Sequence, residues 1–136
     1  MKKSSEVNML KDVCEKAKVE GKIAEAHKRS LSTAFGARFT RAWEALEEGR
    51  VKKYVFKPSQ RIVWIVVGKK RDYIIMPNAE FCSCNDFYFR VMDGEAHLCY
   101  HLMAQKIAEA LSEYDLFEED DSLFDTLMNE WKEVTP

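Results

Sequence analysis

Long apolar runs are absent from this chain of 136 residues, and so are several short motifs of catalysis and nucleotide binding. No run reaches the roughly 18 apolar residues of a membrane-spanning helix. The lysines near the N-terminus are not followed by the apolar stretch of a secretory signal. No Gly-Lys-Ser/Thr loop and no His-Glu-x-x-His pair is present. We therefore expect no membrane partner, no secretion and no enzymatic activity.

Glycine and proline are scarce, at 5 and 3 residues, and the chain has no internal repeat or low-complexity segment. Hydrophobic residues make up 46% and aromatic residues 12% of the sequence, which favours a folded protein. The length suits one compact domain. Within it we predict an N-terminal helical region over 1–50, a central β region over 51–115, and an acidic amphipathic C-terminal helix within 116–136.

The net charge is only −2, but its distribution along the chain is uneven. Residues 1–80 carry 18 of the 21 lysines and arginines and a net charge of +8, whereas residues 81–136 carry a net charge of −10. One interpretation is a basic face that approaches phosphate together with an acidic end that repels it. The other is attraction between the two halves, within one chain or between chains.

The apolar pattern predicts helices first and strands afterwards. Helical spacing predicts one helix over 5–30 and a second that begins after Ser30 and ends before Gly49. Alternating and β-branched segments then predict three strands over 53–56, 61–67 and 72–76, which short turns join into an antiparallel meander. Further helices are predicted over 98–112 and 122–132, and the acidic residues 118–121 are expected to be a solvated run. The predicted fold class is α+β.

Three cysteines and one histidine fall within a window of twenty residues, as Cys82-Ser-Cys84, a gap of fourteen residues, and Cys99-Tyr-His101. Three thiolates and one imidazole form a ligand set that Zn²⁺ accepts in a closed tetrahedral site. The first pair follows a predicted strand, and the second lies at a predicted helix start, where the helix dipole favours thiolate charge. We predict one structural Zn²⁺ per chain, with no position left open for substrate.

Other interpretations of these residues remain open. Neighbouring thiols such as Cys82 and Cys84 can exchange disulfides, although the downstream Cys-x-His pair then has no role. The cysteines could also be small core residues, which leaves the polar residues around them unexplained. His97 competes with His101 as the fourth ligand. Cys14 lies outside the cluster and is expected to be buried on an amphipathic helix.

The motif resembles the SWIM zinc finger, whose signature is Cys-x-Cys, a variable gap and Cys-x-His, with a small residue three positions after the histidine, here Ala104. More narrowly, FCSCNDFYFRVM and LCYHLMAQKIAEAL resemble the SWIM subunit of Shu-type recombination-mediator complexes. The similarity is close over residues 81–111. The chain departs from it at Asn85-Asp86, where relatives often have Pro-Ala; that position is not a ligand.

The resemblance implies a non-catalytic subunit that pairs with a RecA-like ATPase paralogue in homologous recombination or DNA repair. Family members of this kind promote recombinase assembly on single-stranded DNA. The alternative is a stand-alone nucleic-acid-binding SWIM protein of another pathway. The expected location is the cytoplasm, in association with the nucleoid, or the nucleus if the source is eukaryotic.

Two surfaces are candidates for contact with partners. A basic turn with two nearby lysines is the candidate nucleic-acid surface, since lysine and arginine displace counterions from phosphate; its residues are Lys52, Lys53, Lys69, Lys70 and Arg71, with Tyr54 and Tyr73 as candidate stacking aromatics. The apolar stripe of the last helix is the candidate partner surface, on a RecA-like protein or a second copy; its residues are Leu123, Phe124, Leu127, Met128 and Trp131. Either surface could instead belong to the solvated or internal part of the domain itself.

Overall fold

Three helices make up the N-terminal part of the protein. The structure, a computed structural model, describes residues 2–68, 72–76, 81–82 and 99–132, and for residues 2–7, 81 and 82 it describes the backbone alone. Helix α1 covers Lys2–Glu20, α2 covers Glu25–Phe35 and α3 covers Ala37–Glu47. The thin apolar stripe of α1 is buried, with Leu10, Val13 and Ala17 in the core.

The prediction of one helix over 5–30 is wrong, because helix α1 ends just before Gly21. This glycine has φ +77°, and its N–H bonds to the carbonyl of Ala17 at 2.7 Å, which closes the last turn of α1. The second predicted helix is also divided. Gly36 has φ 59° and ψ −127°, a conformation reserved for glycine, and it separates α2 from α3 within one apolar stripe.

The central β region forms a five-stranded mixed sheet in the order β4-β3-β2-β1-β5. Its strands are β1 (Val51–Lys57), β2 (Arg61–Val67), β3 (Asp72–Met76), β4 (Phe81–Cys82) and β5 (Asp115–Asp120). The predicted antiparallel meander is present as β1, β2 and β3. The α+β class is confirmed, and the prediction of only three strands is corrected by the additions at both edges.

Strand β5 overturns the expectation that the acidic segment is only a solvated run. It pairs in parallel with β1, with Lys52 opposite Asp115 and Lys57 opposite Asp120. Lys52 Nζ lies 2.9 Å from Asp115 Oδ2, and Lys57 forms an ion pair with Glu118. The acidic strand thus adds to a strand rich in lysine, and the two oppositely charged halves of the sequence attract each other within one chain.

Helices cover both faces of the sheet. Helix α4 (Tyr100–Leu111) packs with α1 and α3 on one face. On the other face lies α5 (Phe124–Lys132), which follows a 3₁₀ turn at Asp121–Leu123. Both helices agree with their predicted ranges to within the usual uncertainty of helix ends. None of the helices in the described ranges has the length and apolar character needed to cross a membrane.

The sheet separates two apolar cores. The larger core lies between the sheet and helices α1–α4 and includes Trp64, Val66 and Ile75 together with Leu102 and Ile107. The smaller core lies under α5; its buried members are Phe56, Val63, Ile65, Ile74, Met128 and Trp131. Because strand side chains alternate between faces, β2, which is apolar from Ile62 to Val67, supplies both cores.

Candidate metal centre and its surroundings

The second predicted ligand pair lies at the start of α4. Cys99 is the N-cap residue, in an extended conformation, and its Sγ accepts a hydrogen bond from Leu102 N at 3.5 Å. His101 belongs to the first turn. Both side chains are buried, at 1% exposure for Cys99 and 5% for His101. A sulfur at this position meets the positive end of the helix dipole, which favours the thiolate that metals bind.

The His101 imidazole lies between two tyrosine rings. The Tyr73 ring centroid is 4.0 Å from that of His101, and the Tyr100 centroid is 3.8 Å away. Within the described part of the chain, neither Nδ1 nor Nε2 of His101 has a hydrogen-bond partner, although both atoms are buried. A buried polar nitrogen without a partner costs about 1–3 kcal/mol. A ligand bound at the His101 ring would supply the partner that these nitrogens lack.

The first residue of the first ligand pair lies on β4, at the opposite edge of the sheet from β5. Strand β4 carries Cys82, whose backbone is in register with Ile75 of β3. Helix α4 contacts both β3 and β4. The fold thus brings Cys82 of the first pair to the strands that α4 contacts. Cys84 and His97 lie outside the described residues, as does the side chain of Cys82. Among the side chains described, no group of three or more candidate ligands is assembled.

A buried thiol and a buried imidazole two residues apart are donors that suit a borderline-soft cation such as Zn²⁺. The burial of Cys99 and His101 favours a site closed to solvent. Burial raises the pKa of Tyr100, and the nearby Arg50 opposes that increase. Arg50 itself is held in place by a bond from its Nη1 to the carbonyl of Val67 at 3.1 Å.

Cys14 makes its hydrogen bond outside this candidate metal centre. It lies on α1, and its Sγ bonds to the carbonyl of Lys106 on α4 at 3.7 Å. Burial raises the pKa of this thiol to about 11. A thiol that stays protonated at neutral pH is a poor metal ligand and a poor nucleophile. Cys14 thus lies on a helix as predicted, but it is partly buried rather than fully buried.

The lysines predicted to form a nucleic-acid surface point to different faces of β1. Lys52 pairs with Asp115, and its Nζ lies 5.5 Å from the Phe117 ring. Lys53 Nζ lies 5.3 Å from the Trp64 ring on the other face. Lys52 and Lys53 therefore do not share one surface. The basic turn of Lys69, Lys70 and Arg71 lies outside the described residues.

The two aromatic side chains proposed for base stacking contact other side chains of the protein. The Tyr54 ring stacks on Phe117 at 5.0 Å between centroids and contacts Trp131 at 4.8 Å. Tyr73 packs against His101. Sequence reasoning therefore missed the contacts of Tyr73 and Tyr100 with the candidate ligand His101. Tyr100 lies between the predicted ligands Cys99 and His101 in the sequence, and this position could have indicated its contact with His101.

The last helix packs on the sheet of its own chain, so its apolar stripe belongs largely to the internal part of the domain. Met128 and Trp131 are buried in the smaller core. Phe124 contacts Phe56 with ring centroids 5.0 Å apart, and Leu127 is partly buried beside the same core. Leu123 is exposed. Contact of this stripe with a second chain stays a prediction. In this structure, Met128 and Trp131 are buried in the smaller core of their own chain.

Comparison with known proteins gives a consistent result. No family model matches the chain. The "Zinc finger SWIM domain-containing protein 7 homolog" of Dictyostelium discoideum is 30% identical over 118 residues, which is 85% of this chain and 75% of that protein. The mouse "Zinc finger SWIM domain-containing protein 7" is 26% identical over 129 residues, or 93% and 84% of the two chains. An "Uncharacterized protein" of Archaeoglobus fulgidus is 33% identical over 101 residues, or 74% and 79%.

These relatives and the Cys-x-Cys…Cys-x-His motif define the class of the protein, which is that of SWIM-type zinc finger proteins. The similarity extends far beyond the motif, across most of the length of both the chain and its relatives. The chain belongs to the family of Zinc finger SWIM domain-containing protein 7.

Proposed function

We propose that the protein holds one structural Zn²⁺ through Cys82, Cys84, Cys99 and His101. The observation that carries this proposal is the pair of buried nitrogens on His101 without a partner in the described chain. A coordinated cation satisfies one of them and fixes the ring between its two tyrosine neighbours. When bound, the ion cross-links the strand β4 to the start of α4. Four protein ligands leave no position for water, so the centre is structural rather than catalytic.

The proposed biological role is that of a non-catalytic subunit that pairs with a RecA-like ATPase paralogue in homologous recombination and DNA repair. Its support is the resemblance over residues 81–111 to the SWIM subunit of Shu-type complexes. Membership of the SWIM family across most of the chain agrees with it. The sequence also lacks a nucleotide-binding loop, so ATP chemistry is left to the partner.

Co-expression with each RecA-like ATPase of the same organism tests this role. One paralogue is expected to co-elute with the chain in a fixed ratio, at a mass above that of either protein alone. The metal is measured in the same preparation and is expected at about one Zn²⁺ per chain. If every RecA-like protein elutes separately from a folded, zinc-loaded chain, the role is wrong while the zinc centre stands.

The alternative function, direct binding of nucleic acid by the chain alone, has less support from the described residues. Lys52 and Lys57 are neutralised by acidic residues of β5. A triple Lys69→Ala, Lys70→Ala, Arg71→Ala variant tests the remaining basic turn. Under the alternative, this variant binds single-stranded DNA more weakly, and the parent's affinity falls steeply as salt rises. Equal binding by the two proteins removes the turn as a DNA contact.

A further inference from the structure

In the part of the chain that the structure describes, the outer edge of β5 pairs with no other strand and is a template for strand pairing. Strand β5 lies at the end of the sheet, and β1 is the strand it pairs with among the described residues. It is six residues long, and five of its side chains are exposed. Backbone N–H and C=O groups at such an edge accept an added strand from another protein.

Two adjacent apolar side chains stand on this edge strand. Leu116 is 56% exposed on one face of the sheet, and Phe117 is 37% exposed on the other. The face that carries Leu116 also carries Ile62 of β2, which is 51% exposed. An added strand would lie beside Leu116 and Phe117 and would cover apolar surface on both faces at once, because strand side chains alternate.

The negative charge of β5 determines which kind of strand can pair with its outer edge. Its acidic residues outnumber its apolar ones; they are Asp115, Glu118, Glu119 and Asp120. Lys52 and Lys57 of β1 pair with two of them, and Glu119 forms no ion pair with the part of the chain described here. Phosphate is repelled by this edge. A second copy of β5 would place acidic residues opposite acidic residues, which destabilises a strand pair.

We propose that β5 is the docking edge for an extended basic segment of a partner protein, which joins the sheet as a sixth strand. The complementary segment has two adjacent apolar residues beside Leu116 and Phe117, and lysines or arginines at the positions that face the carboxylates. This inference requires neither the zinc centre nor a RecA-like partner, since it rests on the edge geometry and the charge of β5 alone.

Short labelled peptides test the docking edge against the full chain. The probes are Lys-Lys-Lys-Val-Val-Lys and its reverse, for antiparallel and parallel addition. A matched control replaces both valines by prolines, which keeps the charge and removes strand pairing. A second control replaces every lysine by glutamate. We expect one lysine–valine probe to bind at least about tenfold more tightly than either control, measured by fluorescence anisotropy.

Hydrogen exchange of the protein's backbone amides locates the contact. Bound peptide is expected to slow exchange within residues 115–120 and to leave α2 and α3 unchanged. The proposal is overturned if the proline control binds as well as the parent probe, since attraction is then only electrostatic. It is equally overturned if the protected amides lie elsewhere, or if β5 is protected by self-association or by single-stranded DNA instead.

A pair of charge variants completes the test. Glu118→Gln with Glu119→Gln should weaken binding of the lysine–valine probe about fivefold or more. Asp125→Gln with Glu130→Gln removes the same charge from exposed positions of α5 and should leave the affinity unchanged. Equal loss in both pairs shows that net charge alone governs binding and overturns the docking edge. Circular dichroism melts confirm that all variants compared are folded.

Discussion

The described cysteines occupy two different electrostatic settings. Cys99 caps a helix N-terminus, where a sulfur anion is stabilised. Cys14 lies on α1 where it packs against α4, and burial raises its thiol pKa to about 11. The sequence motif places only Cys99 in the predicted ligand set, because metal ligands recur at short fixed spacings.

The raised pKa of Cys14 predicts a specific alkaline behaviour. The folded-state pKa of about 11 is above the reference value of 9.0, so the folded protein prefers the neutral thiol. This contribution to stability is fully present below pH 9 and is lost as pH rises toward 11. Cys14→Ala is expected to flatten the decline in unfolding free energy over this range, as followed by urea titration at several pH values. An unchanged slope would contradict the assignment. Cys14→Ala should also retain the parent's zinc content.

His101 gives the most direct test of the metal centre. His101→Phe keeps a ring between Tyr73 and Tyr100 but removes both buried nitrogens. It is expected to lose most of the bound zinc and more than about 4 kcal/mol of unfolding free energy. His101→Cys supplies a thiolate in place of the imidazole and is expected to retain the metal, since Cys₄ also binds zinc.

Metal analysis by mass spectrometry and thermal melts, each with and without chelator, measure the outcome for both His101 variants. If His101→Phe retains about one zinc per chain, His101 is not a ligand. The residue-level setting of His101 was only partly predictable. The motif predicts that His101 is a ligand, whereas its contact with Tyr73 depends on how β3 packs against α4, which no local pattern specifies.

At the scale of elements, glycine decides where the N-terminal helices stop. The apolar stripe that runs through Phe35 and Phe39 has continuous helical spacing, so it predicts one helix. The backbone at Gly36 takes φ 59° and ψ −127° and divides the stripe into α2 and α3. A break of this kind is difficult to predict, because an isolated glycine is also tolerated within a helix.

Gly36→Ala is expected to destabilise the protein by about 1–3 kcal/mol through backbone strain alone. A Cβ built at this position has no atom within 4 Å, so steric overlap with neighbours does not contribute. Chemical denaturation measures the change. Ser32→Ala, at an exposed position of α2, is the control and should change the stability by no more than about 0.5 kcal/mol. A Gly36→Ala variant as stable as the parent would mean that α2 and α3 meet in a different geometry.

Strand β5 was missed for a related reason. Its composition is acidic, and Asp and Glu are unfavourable in strands. The pairing partner that makes the strand possible, the lysine-rich β1, lies more than sixty residues earlier, with Lys52 and Asp115 separated by 63 positions. The charge asymmetry of the sequence indicated such an attraction, but it did not specify which segments meet or in which direction.

At the scale of the whole molecule, the sheet is covered on both faces, and within the described ranges α5 is the helix that covers the smaller core. Trp131 contacts Tyr54 and, with Met128, closes the smaller core. Trp131→Ala is expected to cost about 3–5 kcal/mol of unfolding free energy. Glu130→Ala, on the exposed side of the same helix, is the control and should be close to neutral.

Light scattering of the same two variants separates internal packing from assembly. If Trp131→Ala lowers the mass of the particle while the melting temperature stays at the parent value, α5 packs on another chain in solution. A large fall in melting temperature at constant mass is the outcome that the single-chain packing predicts. The α+β class and the meander were predictable from periodicity, but the side of the sheet on which α5 packs depends on the tertiary fold.

The parallel pairing of β1 with β5 has a consequence for the nascent chain during translation. During synthesis, β1 leaves the ribosome long before its neighbour exists, since 63 residues separate Lys52 from Asp115. At roughly 5–20 residues per second, this interval lasts about 3–13 s. Throughout it, the lysine-rich edge of β1 is available to polyanions in the translating cell, until the acidic strand β5 is made and pairs with it.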